Sequence, residues 1–166
     1  MPSGPRADGT TTNSAPWLTP DEQDAWRAYL RLAKMLMRQL DRDLHPFGLS
    51  ANDYEILVEL SEAPRSQLRM TELADRTAQS RSRLSHQVSR MEDRGLVRRE
   101  DCAGDKRGTF AVLTPHGMAT IQRVAPSHVA SVRRHFIDHL PADQLAALTA
   151  SFTPILQRLG RIRDRD

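Results

Sequence analysis

The stretch MTELADRTAQSRSRLSHQVSRMEDRG, residues 70–95, determines the fold that we predict for this chain. Residues 70–77 favour a short helix, residues 78–80 a turn, and residues 81–94 a second helix. Gly95 is a natural end for that helix, because glycine readily adopts the left-handed backbone of a helix terminus. Three apolar residues at helical spacing predict the buried face of the second helix: Leu84, Val88 and Met91.

The opposite face of the second helix carries small and polar side chains, which suit close approach to base edges in a DNA major groove. Serine is a poor helix former, so several serines near one helix start require a reason, and contact with DNA supplies one. The alternative is an ordinary amphipathic helix with a serine-rich face. The predicted DNA-contacting residues of this helix are Ser80, Arg81, Ser82, Arg83, Ser85, His86, Ser89 and Arg90.

A β-hairpin is predicted directly after the second helix. Residues 96–100 and 109–113 favour strands, and the polar loop between them contains two glycines and a basic tip. Arginine on a thin hairpin can enter a narrow minor groove, although a solvated charged loop is the alternative. The order of helices and strands predicts a winged helix-turn-helix. The predicted wing contacts are Asp105, Lys106 and Arg107.

Longer helices flank this region. A capping box at residues 19–22 begins the first helix, which ends near Gly48, and a long helix kinked at Pro126 is expected over residues 114–139. The last helix begins at Pro141 and repeats apolar residues at alternating spacings of three and four. Such a seam predicts packing against a second copy of the chain, with packing inside the monomer as the alternative. The seam residues are Leu145, Leu148, Phe152, Ile155, Leu159 and Ile162.

The predicted fold is therefore mainly α-helical with a small two-stranded β wing. We expect a flexible tail over residues 1–18, a dimerisation helix over 19–48 and a winged helix-turn-helix domain over 49–114. Residues 115–166 are expected to form a long helix and a C-terminal dimerisation helix. A helix-turn-helix dimer implies double-stranded DNA and a second copy of the chain as partners.

Charge is concentrated in the middle of the chain. The 166 residues include 24 basic and 21 acidic side chains, and all but two of the basic ones are arginine. Between Arg65 and Arg107 there are eleven basic and seven acidic residues, while the remainder of the chain has a net charge of −1. This is the charge distribution expected of a nucleic-acid-binding protein. The arginine content by itself is explained equally well by codon bias.

Other functions find little support in the sequence. It contains no phosphate-binding glycine loop and no motif of a metalloprotease or serine hydrolase, so we predict that the protein is not an enzyme. His135 and His139 are spaced to share a helix face, but no further ligand pattern follows, so no metal or cofactor is predicted. Cys102, the single cysteine, stands among arginines, and a redox-sensing wing is a weaker alternative. A single cysteine and the absence of a long apolar run lead us to expect a cytoplasmic protein that does not enter membranes.

The sequence resembles the multiple antibiotic resistance regulator (MarR) family over roughly residues 19–161. The combination of an Asp-x-Arg wing with a following Leu-Thr-x-x-Gly motif is fairly specific. The matching segments are residues 70–74, 80–85, 88–97, 105–107 and 113–117. The resemblance implies an obligate homodimer whose first and last helices form its base. It also implies that the helix starting at Arg81 is the recognition helix and that Arg107 is the wing arginine.

The resemblance further implies a mechanism. Two recognition helices would bind half-sites of a palindromic operator about one helical turn apart, most often to repress transcription. A small aromatic or phenolic effector would enter a cleft beside the dimer base and release the DNA by a population shift. A ligand-independent structural DNA-binding protein is the alternative. The candidate cleft residues are Trp26, Tyr29, His45 and Tyr54, for which a place in the core is the competing expectation.

Overall fold

A computed structural model of the chain describes residues 17–102 and 105–163, with side chains for residues 17–101 and 108–160. The expected N-terminal tail lies outside the described residues except for its last two positions. Contacts divide the chain into two units, residues 1–34 and 35–166. Helix α1 (Pro20–Leu44) begins in the first unit and ends in the second.

The start of α1 has the predicted capping box. The backbone N–H of Thr19 donates to Glu22 Oε2 at 2.8 Å, and the N–H of Glu22 donates to Thr19 Oγ1 at 3.3 Å. Pro20 occupies the first helical position, where no N–H is required. Within this unit the rings of Trp26 and Tyr29 stack, with centroids 5.9 Å apart.

The second unit contains the other five helices and a small sheet. Serine or threonine caps three of these helices, through the side chains of Ser50, Ser80 and Thr114, so the predicted N-cap at Ser80 is confirmed. The helices are α2 (Ala51–Glu62), α3 (Met70–Arg76), α4 (Arg81–Asp93), α5 (Pro115–His135) and α6 (Ala142–Arg163). Short 3-10 turns occupy His45–Phe47, Pro64–Ser66 and Ile137–His139.

The sheet has three antiparallel strands, one more than the sequence predicts. They are β1 (Gln67–Arg69), β2 (Val97–Cys102) and β3 (Asp105–Leu113), in the order β1-β3-β2. The loop expected over residues 101–108 is therefore largely strand. The predicted two-stranded wing is confirmed as β2 and β3. The additional strand β1 was not predicted, because it has only three residues, too few for any alternation, and depends on pairing with β3 more than 40 residues later, as in Leu68 with Ala111.

The hydrophobic core lies between α2, α3, α4, the sheet and the first half of α5. Leu84, Val88 and Met91 are fully buried, which confirms the predicted inner face of α4. Pro126 lies inside α5 without ending the helix. That helix was predicted to reach about His139, but it ends at His135, because Phe136 leaves helical geometry at φ −141° and ψ −62°. None of the helices in the described part of the chain is long and apolar enough to cross a membrane.

Candidate nucleic-acid interface

The solvent-facing side of α4 brings the predicted recognition residues together. The buried side of the helix fixes its rotation, so residues between the apolar positions must face outward. Ser80 accepts the N–H of Arg83 at 3.3 Å and so orders the first turn. The eight predicted contact residues are all exposed, at positions 80–83, 85, 86, 89 and 90. The helix therefore presents hydroxyl, imidazole and guanidinium groups to solvent, which are hydrogen-bonding groups suited to base edges and phosphates.

A cavity of about 400 Å³ lies beside this face. It is formed where the starts of α3 and α4 meet strands β2 and β3. Its walls include three arginines, so its chemistry favours an anion such as a DNA phosphate. The residues around it are Arg69, Met70, Thr71, Arg81, Ser85, Arg99, Gly108 and Thr109.

Two of the cavity arginines are held in place by the fold. Arg99 donates from Nη1 to Glu92 Oε2 at 2.6 Å and from Nη2 to the carbonyl of Ser85 at 2.7 Å. The guanidinium of Arg69 lies 5.6 Å from the centroid of the Phe110 ring. Sequence analysis missed both arginines, because each lies on a strand and only the sheet brings them beside Arg81.

The predicted wing residues form the start of β3. Asp105, Lys106 and Arg107 belong to this strand, and Cys102 pairs with Asp105 across the hairpin. Their side chains lie outside the described residues, so their contacts with DNA stay a prediction. In the wing, β2 extends to residue 102 and β3 begins at residue 105. The two strands form a thin hairpin, and β2 contacts α4.

The four residues proposed for an effector cleft have different surroundings. Trp26 and Tyr29 are each about half exposed within the first unit, and His45 is exposed in the turn after α1. Tyr54 is buried in the core, and its ring centroid lies 4.1 Å from that of His128. Burial raises the pKa of Tyr54 and lowers the pKa of His128, so both groups favour their neutral forms. Sequence reasoning did not include His128 in this group.

The histidines considered as metal ligands have protein partners. His135 Nε2 lies 3.3 Å from Asp43 Oδ2, and His139 Nε2 lies 2.9 Å from the carbonyl of Arg134. Asp43 also accepts a hydrogen bond from Ser131, which is the main reason that its pKa is lowered. Among the described residues, no group of three or more His, Cys, Asp or Glu side chains is arranged to hold a metal ion.

A helix-turn-helix followed by a strand hairpin, with an arginine-lined cavity beside the exposed helix, defines a winged-helix DNA-binding protein. The MarR family model matches residues 47–108. AbsC, a MarR family transcriptional regulator from Streptomyces coelicolor, is 56% identical and superposes with a TM-score of 0.83, over 87% of this chain and 98% of AbsC. The chain therefore belongs to the MarR family of transcriptional regulators.

Two further relatives agree with this assignment. Sco3205, a MarR family transcriptional regulator from Streptomyces coelicolor whose structure was solved in complex with DNA, is 44% identical with a TM-score of 0.84. That match covers 89% of this chain and 92% of Sco3205. The transcriptional regulator PecS from Dickeya dadantii is 30% identical over 105 residues, which are 62% of this chain and 63% of PecS. The match thus spans less than two thirds of PecS.

Proposed function

We propose that this protein is a homodimeric repressor that binds a palindromic DNA operator and is released by a small aromatic ligand. The observation that carries the proposal is the arginine-lined cavity beside the exposed polar face of α4. A duplex in contact with α4 would bring its phosphates to the guanidinium groups at the cavity, while the serines and His86 would meet base edges. A regulator of this kind acts on the chromosome, so we propose a cytoplasmic location.

We propose different roles for different side chains of this surface. Phosphate contacts fix the position of a protein on DNA without reading its sequence. We assign this role to Arg81 and Arg83 near the start of α4. Ser82 and His86 lie one helical turn apart on the exposed face, and we assign base reading to them. Arg107 on the wing would enter the neighbouring minor groove.

The proposal of a dimer is supported by apolar side chains on α6 that the single chain leaves uncovered. Ile155 and Leu159 are each 55% exposed, and Phe152 is 40% exposed. These residues belong to the predicted seam, whose other described members, Leu145 and Leu148, are partly buried. Ile162 lies beyond the described side chains. A second copy seated on this seam would remove its apolar surface from water, which is the main driving force of association.

The proposed ligand response rests on the family resemblance and on the aromatic residues. A ligand can shift the protein only by binding one arrangement of the dimer more tightly than another. Trp26, Tyr29, His45 and Tyr54 remain the proposed contacts. Tyr54 and His128, both favouring their neutral forms, would suit an aromatic ring better than a charged group.

Selection from a pool of random duplex DNA tests the proposal. An enriched palindrome with half-sites about one helical turn apart (~34–36 Å) is the expected result. Retention without an enriched motif would instead favour a structural DNA-binding protein, and no retention at moderate salt would contradict DNA binding.

A matched pair of arginine variants assigns the binding to the proposed surface. Arg81→Ala should weaken binding, whereas Arg123→Ala, which removes an exposed arginine from α5, should leave it unchanged. Equal losses in both variants would contradict the assignment. Release of the selected operator by a panel of uncharged phenols, with glucose as a control, tests the ligand response.

A further inference from the structure

The buried face of α4 contains one polar side chain that packing alone does not explain. Leu84, Val88 and Met91 are fully buried, and Gln87 between them is only 3% exposed. Its Nε2 donates to Asp53 Oδ1 at 2.9 Å, across 34 residues of sequence. This hydrogen bond therefore joins the buried face of α4 to the first turn of α2.

The Asp53 carboxylate, in the first turn of α2, accepts hydrogen bonds from several groups. Its Oδ2 accepts the backbone N–H of Ser50 at 3.0 Å, and its own N–H donates to Ser50 Oγ at 3.0 Å, which completes a capping box. The same Oδ2 lies 3.3 Å from Nη1 of Arg94. A single carboxylate therefore orders the first turn of α2 and binds two residues of the α4 region.

Arg94, the C-cap residue of α4, makes a second contact with the segment that precedes α2. Its Nη2 donates to the carbonyl of Gly48 at 2.6 Å. Gln87 and Arg94 are seven residues, or about two helical turns, apart. Attachment at both points adds to the apolar packing of Leu84, Val88 and Met91 in restraining the rotation of α4 about its axis and its tilt.

Stability alone need not explain a network of this kind. Replacing a buried hydrogen-bonded charge by well-packed apolar residues is often neutral or stabilising. A polar network that is fully satisfied restricts the core to one arrangement. The network joins α4 to the first turn of α2 through Asp53 and to the connection between α1 and α2 through Gly48, and so ties the orientation of the recognition helix to the segment that follows α1.

We propose that Asp53, Gln87 and Arg94 are positioning residues that set the orientation of α4 and thereby the spacing of operator half-sites that the dimer accepts. This inference rests on the proposed dimeric DNA binding. A dimer with firmly held recognition helices discriminates against half-sites that are one base pair too close or too far, because α4 cannot turn to follow them. A dimer whose recognition helices are held less firmly should discriminate less between spacings of the half-sites.

Two variants test the network, one at a buried position and one at a partly exposed position. Gln87→Met preserves the length of the buried side chain and removes its donor, and Arg94→Met removes both contacts of a partly exposed side chain. Arg76→Met is the matched control, because Arg76 lies 3.3 Å from Glu59 of α2, as Arg94 does from Asp53, but belongs to α3. Thermal unfolding of each variant identifies any that fails to fold, and Arg94→Met tests the proposal on a partly exposed position.

The measurement is the dissociation constant for the selected operator and for versions with one base pair added to or removed from the spacer, at several salt concentrations. In both network variants, the ratio of affinities between correct and altered spacers should fall about tenfold, the scale of one hydrogen bond to a charged group. The salt slope should not change, because neither residue is assigned to a phosphate. Arg76→Met should keep the wild-type ratio.

Other results overturn the inference. A uniform loss of affinity at every spacing, an unchanged ratio, or the same effect in Arg76→Met would each show that the network has no positioning role. Failure of the wild-type protein to bind any operator would instead overturn the proposed function, and with it the basis of the inference.

Discussion

Alanine at Gly117 should force α5 away from the DNA-binding sheet. A Cβ built at this position lies 2.1 Å from the carbonyl oxygen of Leu96 and 2.7 Å from Cδ1 of Leu113. The leucine side chain can rotate away, but the carbonyl belongs to the backbone. It also accepts hydrogen bonds from the N–H of Thr114 at 3.2 Å and from its hydroxyl at 3.1 Å. The start of α5 is thus hydrogen-bonded to Leu96, which lies between α4 and β2.

The expected loss of stability follows from these distances. A carbon–oxygen contact is normally at least ~3.3 Å, so α5 must move roughly 1 Å from Leu96. Overpacking of this kind costs ~1–3 kcal/mol, and weakening the two Thr114 hydrogen bonds adds ~1 kcal/mol. Alanine also stabilises the helix by ~0.5–1 kcal/mol, because its helix propensity is higher than that of glycine. The net loss of about 1–3.5 kcal/mol corresponds to a fall in Tm of ~2–14 °C for a chain of this size.

Chemical denaturation at fixed protein concentration measures this loss. Gly160→Ala is the matched control, because it makes the same change in α6, where nothing lies within 4 Å of the new Cβ. The control should be slightly more stable than the wild type, by up to ~1 kcal/mol. A Gly117→Ala protein that unfolds at the same denaturant concentration as the control would refute the proposed contact between α5 and Leu96.

Three further predictions concern DNA binding and assembly. Arg107→Ala should weaken binding to all sequences and reduce the salt slope by about one for each protomer, or about two for the dimer, and an unchanged salt titration would mean that the wing does not contact phosphate. Ser82→Ala and His86→Ala should alter the preferred operator sequence more than the salt slope; equal losses on every sequence would contradict base reading. Truncation before Leu145 should abolish the dimer in sedimentation, and a truncated chain that remains dimeric would contradict the α6 seam.

Local signals in the sequence were sufficient for most of the helices. The caps at Thr19 and Ser80 act within four residues, so their presence in the sequence predicts the helix start directly. The inner face of α4 follows from a spacing that any helix imposes. The end of α5 has no such signal, because no proline or glycine marks Phe136, and the prediction consequently extended to His139.

The interactions that cross the fold were not predictable in this way. Arg69 and Arg99 lie 30 residues apart and face one cavity only because β1 and β2 both pair with β3. The spacing of Gln87 places it on the buried face of α4, but nothing in the sequence identifies its partner Asp53, 34 residues earlier. Sequence periodicity predicts which face of a helix is buried, but it does not predict which distant side chain meets it.

The positive charge of residues 65–107 overstates the number of phosphates that the protein can neutralise. Several arginines in this region already have carboxylate partners, and hydrogen bonds to Glu59 and Glu72 raise the pKa of Arg76. A paired arginine must lose or share its partner before it can neutralise a phosphate, so it contributes less to salt-dependent binding. The paired arginines are Arg76, Arg94, Arg98 and Arg99.

The salt dependence of operator binding should therefore follow from the unpaired arginines. Within residues 17–101 and 108–160, Arg81, Arg83 and Arg90 have no acidic partner, and all three are exposed on α4. Together with the proposed wing cations Lys106 and Arg107, they provide five cations per protomer and ten per dimer, which predicts a slope of log K against log salt of about −9. If all eleven basic residues of the region took part, the slope would be near −20. A titration of the selected operator between 50 and 200 mM salt distinguishes these values, and a slope close to the larger one would show that DNA displaces the carboxylate partners.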